Sequence, residues 1–61
     1  MELIYTYKDG HMIFFEKMDG GGSGGFCNVV DKDYNPIFSS IFGHTKKVAI
    51  ERARDAVKNR K

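Results

Sequence analysis

The sequence predicts an antiparallel α+β domain, four strands in two hairpins followed by one C-terminal helix, in the order ββββα. Three observations predict it. Segments with a two-residue apolar period fall at residues 2–8, 11–18, 26–31 and 36–42. Turn residues, Asp9-Gly10 and Lys32-Asp33-Tyr34-Asn35, separate the members of each pair. The last sixteen residues then change period, with Ala49, Ile50, Ala53, Ala56 and Val57 at helical spacing. With 61 residues the chain forms one small domain, 1–61.

In the first strand Leu3, Tyr5 and Tyr7 share one face, and Ile4 and Thr6 share the other. Asp9-Gly10 suits a two-residue type I′ turn, which pairs Tyr7 with Met12, Tyr5 with Phe14 and Ile4 with Phe15. Leu3, Tyr5, Tyr7, Met12 and Phe14 are then expected on one face, opposite Ile4, Thr6, Ile13 and Phe15. Both faces are apolar, and a single helix covers only one. Residues 19–25, Asp-Gly-Gly-Gly-Ser-Gly-Gly, read as a flexible connector between hairpins, either natural or an inserted laboratory linker. No Gly-Lys-Ser/Thr follows this run, and a strand rather than a helix comes next, which argues against a phosphate-binding loop. In the third strand Phe26, Asn28 and Val30 oppose Cys27 and Val29. Pro36 opens the fourth, where a missing N–H donor costs least. Gly43 closes that strand, and Thr45 is the expected N-cap of the helix.

Composition narrows function more by exclusion. The single Cys27 excludes an internal disulfide and, with two His, makes a poor zinc set. An unpaired thiol without a secretory segment argues for a reducing, cytoplasmic setting. No apolar run is long enough to span a membrane. His11 and His44 are far apart in sequence, and Cys27 lies mid-strand. Asp31, Asp33 and Asn35 resemble only the opening of a calcium loop. These features give no support to an enzyme, a metal site or a cofactor.

Charge is the informative quantity. The chain carries a formal net charge of +2, yet residues 1–45 sum to −3 and residues 46–61 to +5. On the helix, Lys47, Arg54, Lys58 and Lys61 line up opposite the apolar stripe, interrupted only by Glu51. Such a face, about 24 Å long, is expected to follow a phosphate backbone. His44, Thr45, Lys46 and Lys47 cluster at the helix start, where the macrodipole disfavours lysine, as they would around a bound anion. Tyr5, Tyr7 and Phe14, expected on one sheet face, are the candidates for an interface: with unpaired bases, a protein partner, or a second copy in a homodimer.

From Gly25 onward the pattern Gly-Phe, Val29-Val30, Ser39-Ser40, Phe42, Thr45-Lys46-Lys47 and Ala49-Ile50-Glu51-Arg52-Ala53-Arg54 resembles a small bacterial and phage family of strand–strand–helix proteins. More loosely it is similar to the HicB-like antitoxin fold, without that group's proline-glycine-cysteine signature. The resemblance implies the fold and assigns no functional residue. Two binding functions are therefore expected. One is a nucleic-acid or polyanion module acting through the basic helix. The alternative is a small protein-binding inhibitor or antitoxin-like factor, of the phage anti-defence type, acting through the aromatic sheet face or the helix. If residues 19–25 are an inserted linker, the chain is an engineered folding model.

Overall fold

The computed structural model describes residues 1–20 and 22–60. Strands β1 (Glu2–Thr6), β2 (Met12–Lys17), β3 (Gly25–Val30) and β4 (Pro36–Gly43) precede helix α1 (Lys46–Lys58). All neighbours are antiparallel, in the order β1-β2-β3-β4. This is the ββββα architecture expected from the periodicities. Short connections favour it, because antiparallel neighbours need only a tight turn between them.

The core lies between α1 and one sheet face. Ile13, Phe15, Cys27, Val29, Ala49 and Ala53 are buried there. Ile13 stands opposite Val29 and Phe15 opposite Cys27, so the two central strands present matched apolar pairs to the helix. Ala49 and Ala53, one turn apart, let the helix backbone approach the sheet closely. Gly43 completes this approach: a Cβ there would collide with the backbone and side chain of Ala49.

The first hairpin differs from the expected one. Tyr7 N–H donates to His11 O at 2.7 Å and Gly10 N–H to Tyr7 O at 3.0 Å. Only Gly10, at φ +98°, has positive φ in this turn. This is a three-residue loop, a type I turn followed by a left-handed residue, and not the two-residue type I′ turn, which needs two positive φ values. Asp9 favours it by accepting His11 N–H on its Oδ1 at 3.1 Å. One extra loop residue moves the register by one: Thr6 faces Met12 and Tyr5 faces Ile13. A bulge at Ile4 then returns Leu3 opposite Phe14.

The expected face assignment is corrected accordingly. Tyr5 lies on the helix side with Ile13, whereas Leu3 and Phe14 lie on the outer face. Tyr7 packs against the core. Tyr5, Tyr7 and Phe14 therefore do not form one surface.

The second hairpin repeats the loop. Asp31 N–H donates to Asn35 O and Tyr34 N–H to Asp31 O, with Tyr34 left-handed at φ +65°. Asp31 Oδ1 accepts the N–H groups of Asp33 and Asn35 at 2.8 and 2.9 Å. A second irregularity follows in β4, where Ser40 adopts φ +57° and its N–H donates to Asn28 Oδ1 at 2.9 Å. This bulge breaks strict alternation, so Phe38 and Ile41 both pack on the core.

The connector is shorter than residues 19–25. Gly25 is the first residue of β3, opposite Lys17, and Gly24 is buried with its carbonyl accepting Met18 N–H at 3.1 Å. A Cβ on Gly24 would lie 2.7 Å from Gly43 O. Gly21 lies outside the described residues.

The sheet face away from α1 has no covering layer among the described residues. Leu3, Met12, Phe14, Phe26, Val30 and Phe42 occupy it, with Leu3 51% exposed. The Phe26 and Phe42 rings pack at 5.5 Å.

Candidate functional site

The helix sits over β4 and β3, and less over β2. Edge strand β1 therefore extends beyond its footprint, and a groove opens between Tyr7 with the following β1–β2 loop and the C-terminal half of α1. Tyr7 lines it, with Tyr5 packed beside Tyr7. Tyr5 and Tyr7 meet edge to face at 4.8 Å between ring centroids. The Arg54 guanidinium stands 5.3 Å over the Tyr5 ring, a cation–π contact worth about 0.5–1 kcal/mol at an exposed site.

Two open clefts meet along this groove. One, about 550 Å³, is lined by Tyr7, Lys8, Asp9, His11, Val57 and Arg60. The other, about 370 Å³, is lined by Tyr7, Arg54, Asp55, Val57 and Lys58. Tyr7 and Val57 border both, so they form one continuous depression with four cations and two carboxylates around it. One carboxylate is already engaged: Asp9 Oδ1 lies 2.6 Å from His11 Nδ1. The hydrogen bond from His11 and its backbone N–H hold the Asp9 carboxyl below its usual value.

His11 Nε2 lies 2.7 Å from Arg60 Nη1. Arginine only donates, so a neutral imidazole protonated at Nδ1 satisfies both contacts. This Asp9–His11–Arg60 chain ties the first turn to the residue after the helix. Arg60 reaches it because the helix ends at Lys58 and Arg60 N–H closes a turn on Val57 O at 3.2 Å.

At the helix start, Thr45, Lys46 and His44 each make a separate contact. Thr45 is the N-cap, with Oγ1 accepting Val48 N–H at 3.2 Å. Lys46 turns towards β1, where its Nζ donates to both Glu2 carboxylate oxygens at 2.8 and 3.0 Å. It also lies 5.7 Å from the Phe15 ring centroid. These two contacts compensate for a lysine in the first turn. His44 packs edge-on against Phe42 at 5.3 Å.

Lys47, Arg54 and Lys58 remain exposed, as the helical period predicts; Lys61 lies outside the described residues. Sequence reasoning missed Lys8, His11 and Arg60. Asp9 and His11, two apart across a turn, were a readable signal. Arg60 was not, because it leaves the helical stripe after the C-cap.

Elsewhere the reactive groups serve packing. Cys27 is fully buried and burial pushes its thiol up. Among the described residues no group of three or more His, Cys, Asp or Glu is placed to hold a metal ion. No described helix is long and apolar enough to cross a membrane. Compared with known proteins, the chain matches no family model, and no curated protein or solved structure is significantly similar to it.

Proposed function

We propose that this protein is a non-enzymatic binding module whose ligand is a nucleic acid or a comparable polyanion, contacted through the exposed flank of α1. The observation that carries the reading is the exposure of Lys47, Arg54 and Lys58 along one side of the helix, with Arg54 and Lys58 bordering a groove. Lys46 contributes less, since Glu2 already compensates its charge. A binding role also fits the chemistry-bearing side chains: Cys27 is sequestered, and His11 is engaged at both ring nitrogens. A free buried thiol is in keeping with a reducing, cytoplasmic compartment.

Fluorescence anisotropy of a labelled duplex at 50 and 200 mM salt tests this. Three phosphate contacts give a log–log slope of about −2.7, so affinity should fall about 40-fold across that range. Charge reversal at Arg54 and Lys58 should remove most of the binding. Absence of binding at 50 mM salt to duplex and single strand alike sinks the reading.

The uncovered apolar sheet face favours a second reading, a protein-binding factor or inhibitor that engages its partner, or a second copy, through Leu3, Phe14, Phe26 and Phe42. Its signature is a complex unaffected by added DNA or RNA.

A further inference from the structure

We infer that the groove between the β1–β2 loop and the C-terminal half of α1 takes single-stranded nucleic acid, with one unpaired base stacked on Tyr7 and its flanking phosphates held by Lys8 and Arg60 on one side and by Arg54 and Lys58 on the other. The inference rests on the proposed polyanion binding and names the form of nucleic acid that the site selects.

The argument starts from the position of Tyr7. Among the described residues it is the one aromatic that borders both clefts. Tyr5, its edge-to-face neighbour, already carries the Arg54 guanidinium. A ring with cations to either side matches the alternation of a nucleic-acid strand, in which a flat base separates two charged phosphates. Ring–base stacking is sequence-tolerant because every base has a π-face, and it is open only to unpaired bases. In a duplex those faces are covered by their neighbours, so a duplex would engage the cations alone.

Charge supports the same occupant. Four cations, Lys8, Arg54, Lys58 and Arg60, stand around the groove against two carboxylates, Asp9 and Asp55, so positive charge is in excess; the hydrogen bond from neutral His11 orients Asp9 without cancelling its charge.

The test titrates labelled oligothymidylate, 12 nucleotides long, and a labelled duplex at 50 and 200 mM salt. It uses the full chain, Tyr7→Leu, Tyr7→Trp and the double variant Arg54→Glu/Lys58→Glu. Four contacts on a single strand predict a slope of about −2.8 and a loss of about 50-fold across that salt range. Tyr7→Leu keeps an apolar side chain against Val57 but removes the ring. It should weaken oligothymidylate binding about tenfold or more and leave duplex binding within about twofold. Tyr7→Trp should retain or tighten single-strand binding, and the double charge reversal should weaken both probes.

If Tyr7→Leu fails to fold, a Tyr5→Phe/Tyr34→Phe background leaves Tyr7 as the sole tyrosine in a chain without Trp. Oligothymidylate should then quench its fluorescence, and quenching absent at saturation overturns the inference. It is likewise overturned if Tyr7→Leu binds oligothymidylate as the parent does, or if a poly-glutamate peptide of matched charge binds equally well. In those cases the charge reversal can still abolish binding, and the polyanion reading stands without the stack. Binding of neither probe removes both.

Discussion

At the scale of single residues, the two hairpin loops make a natural comparison, because one backbone shape is filled by two different residues. Gly10 holds the left-handed position of the first loop and Tyr34 that of the second. A side chain in this conformation costs roughly 1–2 kcal/mol, and Tyr34 is 67% exposed, so little packing offsets the strain. Tyr34→Gly should raise stability by about 0.5–1 kcal/mol in urea denaturation, the entropy of glycine taking back part of the gain. Gly10→Ala should lower it by at least as much, since a Cβ there meets Lys32 Cβ at 2.6 Å. The aspartates of the same loops set the acid response. Hydrogen bonds from Asn35 and Asp33 hold the Asp31 carboxyl below its usual value, and His11 does the same for Asp9. A folded-state pKa below the unfolded one contributes stability that is complete above about pH 4–5 and lost as pH falls through the lowered value. Asp31→Asn should flatten the low-pH limb of stability measured by denaturation between about pH 2 and 5, with little change in shape near neutrality.

Among the elements, the glycines separate into those that fill space by absence and those that merely connect. Gly25 and Gly43 lie where β3, β4 and the start of α1 converge, and a methyl group on either would enter occupied backbone. Gly22 has only ordinary contact with the end of Met18 at 3.9 Å. Gly43→Ala should therefore cost more than about 2 kcal/mol or prevent folding, while Gly22→Ala should stay within about 0.5 kcal/mol; circular dichroism with urea titration distinguishes them. This division was hidden in the sequence, where Gly22, Gly24 and Gly25 belong to one uniform run. The hairpins show a similar limit. Alternation revealed every strand, and the turn residues marked each reversal. The choice between a two- and a three-residue loop depended on one Asx hydrogen bond and one φ value, and it decided which face received Tyr5. The bulges at Ile4 and Ser40 were equally silent, because alternation presumes a regular pleat. The helix was the most legible element: its Thr45 cap, alanine seam and exposed basic flank all stand where the 3.6-residue period places them.

For the molecule as a whole, sequence reasoning recovered the layers and missed the groove. Layering follows from summed hydrophobic pattern, and so does the surplus apolar face that one helix leaves bare. The groove depends on where the helix comes to rest: over β3 and β4, with β1 left outside. No periodicity encodes that offset; it results from the close contact of Ala49 with Gly43 at one end and the Arg60–His11 link at the other. Arg54 and Lys58 consequently come beside Tyr5 and Tyr7, far away in sequence. An open sheet also has two margins along which further strands could add, as in fibrils. Here one margin is kinked at Ile4, and the other begins at Pro36 and is kinked again at Ser40. Pleats broken in this way make poor templates for strand addition. The molecule is thereby guarded against growing sideways into a fibre.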